Sequence, residues 1–225
     1  FSEKESAAFF QQHLSAKQNE ESEQLLILAK RLGHLPIALR LASGYLQDSP
    51  LLTVKKYLQA LDKVESNLGH ISLSDWSPTP SVMAVFNQSW KLLRGEIKVS
   101  WLDRRRGMTA PSSDELARRL FITAGYYAPN MPIPRDLLRK GSGEKLKASA
   151  DDGLDRALRR LLDLGLLQTQ NHQPVIHPLH AEFGRIQDER KDQLRLMVSA
   201  LVDQAEIVTN AAHALPHLES VALFS

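Results

Sequence analysis

The chain has 225 residues, of which 43% are hydrophobic and 24% charged, enough apolar material for one or two buried cores and too much for a disordered segment. Its 28 Lys and Arg against 26 Asp and Glu leave a formal charge of +2, which excludes a global field drawing the molecule to nucleic acid. Zero cysteines exclude disulfide staples and thiolate metal sites.

No run reaches the ~20 apolar residues of a membrane-spanning helix, and Phe1-Ser2-Glu3-Lys4-Glu5 lacks the basic start and apolar centre of a signal peptide. A soluble, cytoplasmic protein is expected, with no membrane partner. The chain starts at Phe1 without an initiator Met and stops at Phe224-Ser225 inside an apolar stretch, so it reads as part of a longer protein.

Ser2-Glu3-Lys4-Glu5 has the Ser-x-x-Glu form of a capping box and predicts a first helix to about Leu14. The polar stretch Ser15 to Glu23 leads into Leu25, Leu26, Leu28, Ala29 and Leu32, one face of a second helix that Gly33 ends. Leu35, Ala38, Leu39, Leu41, Ala42 and Tyr45 predict a third helix, with Pro36 tolerated at its start, where a missing N–H costs little. Ser49-Pro50 breaks the chain before a fourth helix through Val54, Tyr57, Leu58 and Leu61. Residues 1–66 thus read as a small helical bundle.

Between Glu65 and Pro80 the periodicity fades and Gly, Ser and Pro accumulate; residues 67–80 are the expected linker, around which two domains would rotate. A second domain is expected over 81–186. It opens with a helix carrying Val82, Val85, Phe86, Trp90 and Leu93, followed by an irregular stretch from Gly95 to Pro111 that includes Arg104-Arg105-Arg106. Further helices follow over Ser112 to Ile122, around Leu137-Leu138, and over Leu154 to Leu162, the last stopped by Gly165. Leu166 to Thr169 and Pro174 to His177 flank turn residues 170–173 as a hairpin. Three helices and a hairpin are the order of a winged helix. Residues 187–225 look helical again, like the entry to a helical array, although no full internal repeat is visible.

Absences narrow the chemistry. There is no Gly-x-x-x-x-Gly-Lys-Ser/Thr loop to cradle a triphosphate, no Gly-x-Ser-x-Gly elbow and no His-Glu-x-x-His helix. Self-sufficient catalysis is not expected. His177 and His180 lie three apart with Glu182 nearby, too few groups in register for a metal site.

Two segments carry a resemblance. Gly33-His34-Leu35-Pro36-Ile37-Ala38-Leu39-Arg40-Leu41-Ala42, followed by Gly44-Tyr45-Leu46, resembles the Gly-x-Pro motif of the NB-ARC regulatory ATPases, members of the STAND class of signal-transduction ATPases. His34 stands where that family usually has Leu. Val175-Ile176-His177-Pro178-Leu179-His180-Ala181-Glu182-Phe183 resembles the family's His-containing motif at the end of its winged helix, in the His-Pro-Leu form of bacterial members with helical-repeat tails, including tetratricopeptide repeats. Pro178 replaces the usual Asp, so that residue's contacts do not carry over. The two motifs lie about 140 residues apart in the family order.

The resemblance implies a mainly α chain in which a helical lid domain, a winged helix and the first helices of a sensor cover a nucleotide held by an ATPase domain preceding Phe1. Leu35 and Pro36 would lie against the adenine and His177 would reach the β-phosphate. The cofactor of the intact protein would be ADP or ATP with Mg. The partners would be that ATPase domain, C-terminal helical repeats, and further copies of the protein on activation. The residues alone leave a plainer account of each motif: Gly33 and Pro36 as a helix stop and start, and His177 as a structural residue. The alternative function is a DNA-binding winged-helix regulator using Arg104-Arg105-Arg106 and Arg156, Arg159 and Arg160, opposed by Asp151, Asp152, Asp155 and Asp163 nearby.

Overall fold

A computed structural model describes residues 1–68, 80–93, 112–143, 150–202 and 215–224. Among the described residues the fold is mainly helical with a small two-stranded antiparallel sheet. It divides into two compact units, Phe1–Ile97 with Asp163–Gly165, and Lys98–Leu162 with Leu166–Ser225. Among the described residues no helix is long and apolar enough to cross a membrane. Most of the expected linker, residues 69–79 with Trp76, lies outside the described residues, as do Arg104-Arg105-Arg106 and Trp101.

The first unit contains α1 (Glu3–His13), α2 (Ala16–Asn19), α3 (Ser22–Arg31), α4 (Pro36–Asp48), α5 (Val54–Leu68) and α6 (Pro80–Leu93). Both halves of the expected capping box start α1: the Glu5 N–H donates to Ser2 Oγ at 3.3 Å and the Ser2 N–H to the Glu5 carboxylate at 2.7 Å. A second box, Ser15 with Gln18, turns part of the polar stretch into α2. Gln18 does more than cap, because its buried Nε2 donates to Leu46 O at 3.0 Å and so ties α2 to the end of α4. The Glu21 carboxylate accepts the Val54 and Lys55 N–H groups, both at 3.1 Å, satisfying the open donors of α5.

Phe10, Leu28, Leu39, Tyr57, Leu61 and Phe86 are fully buried in this unit, and burial of a large apolar side chain is worth roughly 1.5–3 kcal/mol relative to exposure. α6 packs on α4 and α5, where Gln88 Nε2 donates to Ala60 O at 3.3 Å. It therefore groups with the first unit, whereas the sequence expectation opens the second domain at residue 81.

The second unit contains α7 (Ser112–Tyr126), α8 (Arg135–Gly141), α9 (Ala150–Asp163), β1 (Gln168–Gln170), β2 (Gln173–Val175), α10 (Pro178–Ile186), α11 (Asp192–Val202) and α12 (Leu215–Ala222). Gly165, at φ +72°, follows α9, and the Leu166 N–H closes back on Leu161 O at 2.9 Å, the helix stop its position predicts. The strands pair Gln168 with Val175 and Gln170 with Gln173, leaving Asn171 (φ +50°) and His172 (φ +62°) as a two-residue turn. Two consecutive left-handed residues are the mark of a type I′ turn, whose twist matches that of the strands. The hairpin is thus tighter than the four-residue turn expected, and Leu166 and Leu167, expected in its first strand, are buried ahead of it.

The tightest packing of this unit is between α7 and α10. A Cβ at Gly125 would sit 2.9 Å from Ala181 O and one at Gly184 3.3 Å from Phe121 O, so two glycines let the helix backbones approach. Arg185 Nη1 donates to Gly125 O at 2.6 Å across the same crossing. Asp188 accepts from Tyr126 Oη at 2.9 Å and from the Gln193 and Leu194 N–H groups, which joins α7 to the start of α11. Fully buried His217 joins α12: its Nδ1 accepts the Ala128 N–H at 3.2 Å while Nε2 faces Pro132 O at 3.0 Å. That pair of contacts assigns the neutral ring with its proton on Nε2.

Candidate functional site

The Gly33–Pro36 segment is a helix stop joined directly to a helix start. Leu32 ends α3, and Gly33 and His34 follow at φ +61° and +54°. The Gly33 N–H donates to Lys30 O and the His34 N–H to Ala29 O, both at 3.0 Å, the two bonds of a Schellman motif. Glycine takes the left-handed conformation freely, whereas His34 is strained there and needs support. Ser6 supplies it. With the Ser6 hydroxyl donated to Ser2 O at 3.0 Å, its oxygen accepts from His34 Nδ1 at 2.9 Å.

Leu35 is the N-cap of α4 and Pro36 its first residue. A residue before proline is driven to extended backbone, and Leu35 adopts φ −73°, ψ 119°. No side chain caps this helix start. Ile37 to Leu46 bury nine of their ten residues, yet Leu35 is 41% exposed and Pro36 is exposed beside it. An apolar step is thus held outward by rigid backbone at the edge of a buried helix.

His177 occupies the same place at the start of α10. It is the N-cap, with φ −76° and ψ 147°, and Pro178 is the first helical residue. Here the side chain does cap: His177 Nδ1 accepts the Leu179 N–H at 3.2 Å. A neutral imidazole that accepts through Nδ1 carries its proton on Nε2, so Nε2–H remains as a donor. Half-burial lowers the His177 pKa, which favours this neutral form. Pro178 has no N–H to satisfy, and the cap of this helix start comes from His177 itself.

His180, one turn on, is fully buried, 6.4 Å from the Phe121 ring and 6.0 Å from the His177 ring. It belongs to the α7–α10 core, with its ring edge-on to that of His177. Leu35 and Pro36 sit in the first unit and His177 in the second, each with its local geometry set by its own helix start. Among the described residues no group of three or more His, Asp or Glu gathers to hold a metal ion.

The arginines of α9 divide. Arg160 pairs with Asp114 at 3.4 Å, while Arg156 and Arg159 are exposed alongside exposed Asp152 and Asp155. That face carries both signs of charge, a poor match to a phosphate backbone. Tyr126, Asp188 and His217, which hold α11 and α12 in place, escape sequence reasoning because their partners lie 62 and 89 positions away along the chain.

No protein-family model matches this chain, and no curated protein matches it either. A functional reading therefore rests on the two motifs and their geometry.

Proposed function

We propose that this chain is the regulatory module of a STAND/NB-ARC-type ATPase: a helical lid and a winged-helix domain that cover bound ADP or ATP and couple nucleotide state to conformational switching and oligomerisation, without catalysis of their own. The observation that carries the reading is the outward apolar step at Leu35 and Pro36 on a helix that buries nine of the ten residues from Ile37 to Leu46. A rigid, uncapped apolar edge suits the face of a planar base better than it suits water. The order of α7, α8, α9 and hairpin supports the winged-helix part of the reading, and α11 and α12 would begin the helical repeats.

In this reading the ATPase domain grips the phosphates and Mg, Leu35 and Pro36 lie on the adenine, and His177 donates Nε2–H to the β-phosphate of ADP. A hydrogen bond to a charged group is worth about 1.5–3 kcal/mol, and about 1.4 kcal/mol is already a tenfold change in population. Loss of one such contact is enough to unlock a state that ADP holds closed.

The test is ADP release from the intact protein. His177→Ala should release ADP about tenfold faster or more and favour the open, oligomeric state. His177→Asn keeps a capping side chain but loses the imidazole donor, and it should release ADP as fast as the Ala variant. Unchanged ADP release in both variants, with the fold intact, removes His177 from the mechanism. The isolated chain should bind ADP and ATP no tighter than about micromolar by calorimetry, because adenine contacts alone are weak; a submicromolar dissociation constant would count against the lid reading.

A further inference from the structure

We propose that the groove between α9 and the β1–β2 hairpin is a binding site for a small phosphate monoester with an apolar body. It lies wholly within the second unit, has a volume of about 260 Å³, and includes none of Leu35, Pro36 and His177, so it stands whether or not the nucleotide reading does.

Three nitrogen-bearing side chains line it: Arg135 from the start of α8, Arg159 from α9 and His172 from the turn. Arg135 is ion-paired with Asp155, also in the lining, which fixes one edge of its guanidinium and leaves other N–H groups of the fork to donate. Arg159 has no ion-pair partner among the described residues. Even with Asp155 counted, the two guanidinium groups leave the groove positive, and a planar fork is the side chain best shaped for a phosphoryl group.

Of the rest of the lining, Thr169 is polar and the other three residues are apolar. Leu158, Leu162 and Pro174 give an apolar wall, on which the carbon body of a monoester would rest while its phosphoryl group faced the arginines. Free inorganic phosphate would leave that wall unused.

His172 is the residue that ordinary folding does not account for. It occupies the second left-handed position of a type I′ turn, where glycine is the favoured residue and a side chain is strained. Its imidazole makes no hydrogen bond to any described residue, so the hairpin gains nothing from it. It does, however, place an N–H donor on the groove.

The test uses the whole chain with phenyl phosphate as probe, followed by the methyl resonances of Leu158 and Leu162 in NMR titration. Saturable shifts with a dissociation constant below about 1 mM are expected, with phenol producing none and inorganic phosphate binding several-fold more weakly. R159Q, at an exposed position, should weaken phenyl phosphate about tenfold, the loss of one charge-assisted contact. H172G separates ligand binding from folding, because it should raise the melting temperature of the hairpin unit while lowering affinity. An unchanged dissociation constant in R159Q, or no saturable shift up to about 10 mM probe, would overturn the proposal. So would duplex DNA that displaces the probe with a steep salt dependence, which would assign the arginines to a nucleic-acid surface instead.

Discussion

Two helices in this molecule start in the same way and finish the task differently. Leu35-Pro36 and His177-Pro178 both use proline to fix the first helical φ and to hold the preceding residue extended. At α4 the cap residue is apolar, exposed and gives its helix no side-chain hydrogen bond; at α10 it is polar, half-buried and accepts the Leu179 N–H. Identical backbone logic thus presents a greasy edge in one unit and an oriented imidazole in the other. Proline sets the geometry of a helix start, and the residue before it sets the chemistry.

The largest effect should come from beneath the polar start. The third helical residue is Ala38 in α4 and His180 in α10, both fully buried. Truncating His180 to Ala removes most of a buried ring beside Phe121, and unfolding in urea should show a loss of about 2–4 kcal/mol, within the range for large-to-small core changes. A loss below about 0.5 kcal/mol, the level of a surface change, would mean that α10 does not depend on this ring.

The crossing that supports the polar start should be next. Gly125→Ala places a Cβ 2.9 Å from Ala181 O, a backbone atom that cannot rotate away, so α7 and α10 must part. Overpacking of this kind costs about 1–3 kcal/mol, and amide exchange in α10 should accelerate together with the fall in melting temperature. Unchanged exchange would contradict a close backbone approach.

The caps themselves give a smaller and sharper contrast. His177→Ala should cost about 1 kcal/mol in the isolated chain, the usual worth of an N-cap, and His177→Asn should recover most of it. Leu35→Ala removes an exposed side chain that caps nothing, and should stay within about 0.5 kcal/mol of wild type. Equal losses at the two positions would erase the distinction.

The smallest effect is pH dependence, to which the polar start contributes and the apolar start does not. Burial lowers the pKa of His177 in the folded protein, and that of His217 in the same direction, below the value near 6.5 expected of an unfolded His. The unfolded chain then binds more protons in this window, so stability rises with pH. The contribution is complete above about pH 6.5 and is lost as pH falls through the lowered folded values. Urea midpoints should therefore drop below pH 6.5 in wild type and fall less in His177→Asn. A midpoint that stays flat through this window would show that neither ring is held neutral by the fold.

Much of the fold is legible from local pattern. The Ser2 capping box, the helix stops at Gly33 and Gly165, Pro36 at a helix start, and the apolar faces through Leu28, Leu39, Leu61 and Leu161 all sit where periodicity and cap chemistry predict. The candidate residues Leu35, Pro36 and His177 were legible as motif positions. Their exposure was not, because neighbours distant along the chain decide it, and the cap from His177 to the Leu179 N–H depends on a side-chain rotamer that the sequence does not specify. The hairpin shows the limit at short range: Asn171 and His172 supply the tight turn, but with His where glycine is favoured, nothing local identified a two-residue loop rather than four.

By itself the sequence determined several helix starts and stops, those at Ser2, Gly33, Pro36 and Gly165 among them, because caps, prolines and glycines act within a few residues and their energetics are local. Only the tertiary structure decided which helices belong together. α6 joins α4 and α5 because its buried Val82, Val85 and Phe86 and its Gln88 fit there, and α11 and α12 are tied in by the polar contacts of Asp188 and His217. Those choices turn on shape and on pairing between residues tens of positions apart. Apolar periodicity says that a face will be buried, but it carries no information about which partner will bury it.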